Sequence, residues 1–300
     1  MILQIEFGAS SQQIATTLES RGVIDSKWAF LWERAWNRDA RLLAGEYAFE
    51  RPVAAAEAFR MISEGRVLLY SVTVPEGLNR FQAAEAVARS GMVDREEFLA
   101  LTADPTPVKD FLPKAETLEG VLFPNTYSLS RTSTAQDLVE AMISQFRTTL
   151  ADAWRRRTAE MEHWDALVLA SMIEKEAVDR TEAGLVSSVF HNRIRRGMLM
   201  QCDPTIIYGL VLEGRYRGRI YRSDLADPHP YNTYVHGGLP PGPIASPGRD
   251  ALRAAFSPDK SDFLYFVAKP GFRVGHVFSK TLAAHSRGVR AWRRYERTLR

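Results

Sequence analysis

The stretch Asp165-Ala-Leu-Val-Leu-Ala-Ser-Met-Ile-Glu-Lys-Glu176 is the one around which the rest of this chain is arranged. From Ala166 to Ile173 its only polar side chain is Ser171, so the pattern predicts a helix without a solvated face, buried all round. On helical spacing Glu176 lies over Met172, Ile173 and Leu169, whereas Glu174 points to another side, so the two carboxylates do not share one substrate atom. If the helix stops near Ala177, burial and the negative end of the helix dipole both disfavour an ionised Glu176 and raise its pKa. From a reference near 4.3, roughly 0.2% of such a carboxyl is protonated at neutral pH; a shift to about 6 makes that roughly 10%, enough to give a proton. The same residues also suit a capping acid for the next helix or a buried ion pair with an arginine, and both readings stay open.

Working outward, 300 residues with 45% hydrophobic and 25% charged content are enough for a sizeable core and two or three domains. The formal charge is +3 and the pI is near 9.0. Basic side chains gather in Arg193 to Arg196, Arg215 to Arg222 and the tail Arg287 to Arg300, with no zinc spacing or aromatic ribonucleoprotein signature, so nucleic acid is not an expected partner. One cysteine, Cys202, excludes an intramolecular disulfide, and His276 and His285 fit no metal spacing, so neither metal nor cofactor is expected. No apolar run approaches the about 18 residues needed to cross a bilayer, and Met1-Ile-Leu-Gln-Ile5 does not form a signal peptide, so the chain reads as soluble. Its abrupt start on a strand, Ile2 to Phe7, also fits a chain trimmed of a membrane anchor.

The fold class expected is α+β. The amino-terminal region repeats at an offset of 69 residues, with Gly8, Ala15, Gly22 and Asp25 recurring as Gly77, Ala84, Gly91 and Asp94. Each copy reads as strand, Gly turn, helix and a second helix started by Asp25 or Asp94 as N-cap. Between the copies, Gly45 to Phe49 and Leu69 to Val74 read as strands flanking a helix Val53 to Ser63, echoed by the strand Thr126 to Ser130 and the helix Thr134 to Leu150. The Pro-containing stretch Asp104 to Pro113 is the candidate hinge, which divides the chain into a repeat region, residues 1–103, and a second domain, residues 104–300. Past Glu176, a helix from Asp179 or Thr181 to Arg196 stops at Gly197, and Asp203 caps a short helix with Pro204 in its first turn. The Pro-rich loop Tyr231 to Gly248 is dense in hydroxyl, amide and aromatic groups, as in the lining of a polar groove, although a long structural loop would read the same way. A hairpin, Phe263 to Ala268 with Gly275 to Ser279, and a basic helix from Thr281 close the chain.

Several of these motifs together resemble the endolytic murein transglycosylase family, also called the YceG-like family. They are Leu122-Phe-Pro-Asn-Thr-Tyr127, Ala170-Ser-Met-Ile-Glu-Lys-Glu-Ala177, Val189-Phe-His-Asn-Arg193, Gly197 with Met200-Gln-Cys-Asp-Pro-Thr205, Tyr231-Asn-Thr-Tyr234, Gly238-Leu-Pro-Pro-Gly-Pro-Ile244, and Leu264-Tyr-Phe-Val-Ala268 with His276 and Phe278. The resemblance covers essentially the whole chain. It implies lysin-motif-like, glycan-binding repeats in the amino-terminal region, followed by a mixed α+β transglycosylase domain. It places the catalytic carboxyl at the second acid of Glu-Lys-Glu, Glu176, and leaves Glu174 without a role. Cys202 departs from the pattern, standing where the family usually has a small hydroxyl residue, and the family's amino-terminal membrane helix is not in this sequence.

The reaction implied is cleavage of the MurNAc–GlcNAc β-1,4 bond inside a peptidoglycan strand without water, leaving a 1,6-anhydro-MurNAc end. One carboxyl suffices, because the internal C6 hydroxyl has a high effective concentration. Candidate substrate-binding residues are Gln201, Asp203, Tyr231, Asn232, Thr233 and Tyr234. A hydrolytic muramidase would need a second carboxylate, with Asp203, Asp224 and Glu119 as candidates, and a non-catalytic glycan-binding scaffold would need neither. By the same resemblance the partners are glycan strands and cell-wall synthases, at the periplasmic face of the bacterial inner membrane.

Overall fold

The computed structural model describes residues 1–271 and 275–298, so the end of the basic tail, Arg300, lies outside the described residues. The chain divides into two compact units. The first comprises Met1–Val72 with Ser90–Met92 and Thr126–Thr134. Its strand β1 (Ile2–Ile5) is followed by helices α1 (Ser11–Ser20) and α2 (Lys27–Trp36), strand β2 (Gly45–Ala48) and helix α3 (Ala55–Ser63). β1 and β2 pair antiparallel from Ile2 opposite Ala48 to Ile5 opposite Gly45. Strand alternation turns Leu3, Ile5, Tyr47 and Phe49 inward onto Ile14 and Leu18 of α1, Phe30 of α2 and Phe59 and Ile62 of α3. The buried Tyr47 keeps its hydroxyl satisfied by donating to Leu43 O at 2.8 Å.

The start of α1 is a full capping box. Ser10 accepts from the Gln13 amide at 3.2 Å, while the Ser10 amide donates to Gln13 Oε1 at 2.8 Å. Asp25 does not cap α2. The N-cap position is Ser26, without a side-chain bond, and the Lys27 amide is taken by Glu19 Oε1 at 2.9 Å. Glu19, near the end of the preceding helix, reaches the free amide across the turn.

Strand β3 (Leu69–Val74) pairs with β4 (Asn125–Ser130). The second unit holds α4 (Arg80–Ala88), α5 (Arg95–Ala103), α6 (Ala135–Arg155), α7 (His163–Glu176), α8 (Ala183–Arg195), α9 (Asp203–Leu212), α10 (Arg249–Phe256), the hairpin β5 (Tyr265–Ala268) with β6 (His276–Ser279), and α11 (Leu282–Thr298). In the second copy of the repeat Asp94 does cap its helix, accepting from Glu96 and Glu97 amides at 2.9 and 3.0 Å. Gly8 and Gly77 take φ +81° and +73°, a left-handed turn conformation that a Cβ would strain. The stretch Asp104 to Pro113 lies within this unit and contains a 3-10 turn, Thr106–Val108. Arg147 of α6 pins it, donating to both oxygens of Asp110 and to Pro107 O at 2.7 Å.

α7 is the buried element that the apolar run predicts: every residue from Ala166 to Ile173 is buried. It packs against α8, α9 and α10. The lone polar side chain of that run, Ser171, donates to Val168 O at 2.7 Å and accepts from the Ile244 amide at 3.0 Å, so its hydroxyl is not stranded. After α7 a 3-10 turn, Arg180–Glu182, with Asp179 accepting from the Thr181 amide, leads into α8. Gly197, at φ +62°, turns the chain out of α8. The expectation for α9 is corrected in one respect. Asp203 is the first helical residue, Cys202 holds the N-cap position, and the helix runs ten residues.

Candidate active site

Glu176 is the last residue of α7, where helix carbonyls end. Its carboxyl faces a cavity of about 420 Å³ whose walls include Arg193, Gln201, Asp203, Tyr234, His276 and His285. Burial pushes its pKa up to about 7, and the negative charge of Asp203 adds to the rise. Two groups oppose it: a hydrogen bond from Cys202 and the charge of Arg193. Cys202 Sγ, buried, donates to Glu176 Oε1 at 3.3 Å. The thiol therefore acts as the small donor beside the acid, and burial holds its own pKa well above the usual thiol value.

Arg193 is fixed from α8. Its guanidinium donates to Leu264 O at 2.7 Å, Leu199 O at 3.1 Å and Met200 O at 2.7 Å. It thus joins α8, the 199–200 turn and the segment entering β5 around the cavity. Gln201 has φ +50°, the only non-glycine among the described residues in the left-handed region. This is stored strain of the sort found where structure serves a site. Its amide donates to Thr233 O at 3.1 Å, and the Cys202 amide donates to Thr233 Oγ1 at 3.0 Å. The Thr233 hydroxyl also lies 2.9 Å from that of Thr205. Tyr234 donates to Asp203 Oδ1 at 2.6 Å.

The six candidate binding residues therefore do three different things. Gln201, Asp203 and Tyr234 line the cavity with Glu176. Asn232 and Thr233 are each 1% exposed and do not line it. The Asn232 side-chain amide donates to Asp224 O, Leu225 O and Asp227 O at 3.2, 3.3 and 2.7 Å, which closes the loop beneath Tyr234. Tyr231 opens instead on a separate pocket of about 170 Å³ with Glu119, Trp164 and Tyr208. Glu119 is buried and its pKa is pushed up to about 7 by that burial. Its oxygens accept from the Arg80 amide at 3.0 Å and Tyr208 hydroxyl at 3.0 Å, so it closes the start of α4. Asp224 is likewise turned inward, accepting from the Tyr221 amide at 2.8 Å. Of the three candidate second carboxylates, only Asp203 shares the cavity of Glu176.

Glu174 points away from Glu176, as the helical spacing predicts. Its Oε2 accepts from the Gly248 amide at 2.9 Å, and Lys175 Nζ donates to Gly77 O at 2.9 Å. The Glu-Lys-Glu triplet thus sends one acid to the cavity and uses its other two side chains to hold backbone. A larger cavity of about 710 Å³ beside His191 and Asn192 carries no such constellation. There the Asn192 amide serves Ser261 O and Phe263 O at 2.9 and 2.8 Å. No group of three metal-binding side chains occurs among the described residues.

The sequence profile of the YceG-like family matches residues 3–291. This chain belongs to the YceG-like family. It is 32% identical over 304 residues to the endolytic murein transglycosylase of Bacillus subtilis strain 168, across 95% of this chain and 82% of that protein. It is 28% identical over 293 residues to the endolytic murein transglycosylase of Streptococcus pneumoniae serotype 2 strain D39, across 87% of this chain and 53% of that longer protein. Among solved structures, a YceG-like protein of Listeria monocytogenes superposes with a TM-score of 0.63 at 30% identity, covering 96% of this chain and 98% of that one.

Proposed function

We propose that this chain is an endolytic murein transglycosylase, a lyase that cuts the MurNAc–GlcNAc β-1,4 bond within glycan strands and leaves 1,6-anhydro-MurNAc ends. The observation that carries the reading is the carboxyl of Glu176, half-buried at a helix end with its pKa pushed up to about 7 by desolvation, in a chain of this family. At pH 7 roughly half of such a carboxyl is protonated, so it can give a proton to the glycosidic oxygen. The carboxylate left behind then takes the proton of the sugar's C6 hydroxyl as O6 closes on C1. Atoms balance without water: one C–O bond breaks, one forms, and Glu176 ends as it began. The carboxylate of Asp203 and the dipoles of Tyr234 and Gln201, in the same cavity, suit the positive charge that builds on the sugar ring and the holding of N-acetyl groups.

The functional division is taken as lysin-motif-like glycan binding in residues 1–103 and catalysis in residues 104–300, with strand termination beside cell-wall synthases at the periplasmic face of the inner membrane. Among the described residues no helix is long and apolar enough to cross a membrane. A second reading, hydrolysis, is favoured by one observation, the presence of Asp203 in the cavity. Digestion of purified peptidoglycan by the parent chain and by Glu176→Gln, with the released ends read by mass spectrometry, separates the readings. Anhydro ends from the parent and none from the variant are expected. Reducing ends, heavier by one water of roughly 18 Da, would make the enzyme a hydrolase with Asp203 as its second carboxylate.

A further inference from the structure

His276 lines the cavity of Glu176, and its imidazole is paired with the Glu182 carboxylate; the single-acid reaction uses neither. His276 opens β6, and Glu182 stands in the 3-10 turn that follows the catalytic helix. Glu182 grips His276 twice: Oε1 accepts from the His276 amide at 3.1 Å, and Oε2 lies 2.8 Å from the ring Nδ1. Phe266 and Phe278 pack edge-on to the imidazole, with centroids at 5.1 and 6.1 Å. The carboxylate at Nδ1 places a proton there, so in the neutral ring Nε2 carries the lone pair. Among the described residues Nε2 makes no hydrogen bond, and the ring lines the same cavity as Glu176. A lone ring nitrogen held in one tautomer and one orientation, on a residue that lines the acid's cavity, is an acceptor prepared for a hydroxyl.

We propose that His276 Nε2 accepts a hydrogen bond from the C6 hydroxyl of the sugar being cut and holds O6 over C1, with Glu182 as the positioning residue that sets the ring. The inference rests on the transglycosylase reading above and assigns it a second substrate-touching side chain. As O6 closes on C1, its O–H turns from Nε2 to the Glu176 carboxylate, which takes the proton, so His276 neither gains nor loses one and the balance of the reaction is unchanged. What His276 decides is which oxygen attacks. With O6 held, water has no place at C1; without that acceptor the hydroxymethyl group rotates freely and water competes for the same carbon.

The test uses the full chain and its variants His276→Ala, His276→Gln and Glu182→Gln on purified peptidoglycan, with circular dichroism to confirm the fold. Rates are taken at limiting and saturating substrate, and anhydro and reducing ends are counted. The expected result is a fall in kcat of about 10- to 100-fold for His276→Ala with KM little changed, as for a misplaced reacting group, together with reducing ends that the parent does not make. His276→Gln, whose amide oxygen can accept, recovers part of the anhydro product, and Glu182→Gln lies between it and the parent. If the parent makes anhydro ends while His276→Ala keeps the parent's rate, or loses rate with anhydro ends only, the inference is overturned and the lyase reading stands. If His276→Ala does not fold, His276→Gln decides instead: more reducing ends than the parent support the inference and none refute it. A parent without anhydro ends removes both.

Discussion

Removing the thiol next to Glu176, the acid of the proposed mechanism, should make the enzyme work at higher pH. Cys202 Sγ–H donates to Glu176 Oε1 at 3.3 Å and so favours the ionised carboxyl. Glu176 must be protonated to act as an acid, so activity should fall as pH rises through its pKa of about 7. A hydrogen bond of this kind contributes about 1 kcal/mol, and 1.36 kcal/mol is one pKa unit, so Cys202→Ala should move the alkaline limb up by about 0.7 unit. At pH 8 the protonated fraction would then rise from roughly 9% to roughly 33%, between three- and fourfold. Asp203→Asn provides the opposite sign. It removes a negative charge that raises the Glu176 pKa, while its amide oxygen can still accept from Tyr234, so its limb should move down. The assay is the initial rate of anhydro-end release across pH 5 to about 9, each variant scaled to its own plateau. Limbs that stay in place, or that move the same way in both variants, would refute the assignment of Glu176 as the proton donor. A limb near the ordinary carboxylate pKa of about 4.3 would do so as well.

Two further predictions concern stability. Glu119 has a folded pKa of about 7, raised by burial, against an unfolded value near 4.3. Its contribution is therefore most favourable below the unfolded value and is lost as pH rises toward 7, by about 4 kcal/mol in all. Urea titrations should show the parent losing stability across that window and Glu119→Gln, which cannot ionise, losing less; parallel curves would count against a buried acid there. Glu174→Ala leaves the Gly248 amide without its carboxylate acceptor. It should cost about 1 to 3 kcal/mol in the same titration and lower cleavage without moving the alkaline limb, whereas a shifted limb would mean that Glu174 senses the active carboxyl directly.

The sequence pattern is sufficient for features set by neighbours along the chain. The run Ala166 to Ile173 is buried on every side, as its composition requires. The turn at Gly197 follows from what its backbone must do, and the opposite directions of Glu174 and Glu176 follow from helical spacing alone. Caps are legible only where no distant competitor intervenes. Asp94 captures its own helix's amides, but at the equivalent turn Glu19 reaches the amide first. The pattern Asp-Pro reads as cap and first turn, yet the Asp203 carboxyl accepts from Tyr234, 31 residues away.

By itself, then, the sequence determined the buried helix, the acid at its end, the α+β content and the family, because periodicity, turn chemistry and motif order are properties of the chain as written. The tertiary structure decided which side chains meet that acid. Cys202 donates to Glu176 across 26 positions, Asn232 and Thr233 turn inward, and Tyr231 opens on a different pocket from Tyr234. The motif Tyr231-Asn-Thr-Tyr234 holds four polar groups of similar promise. Which of them face a cavity depends on how carbonyls from Asp224 to Asp227 and the hydroxyl of Thr205 satisfy the two that are buried. That is a hydrogen-bond accounting over distant segments, settled only when the chain is folded.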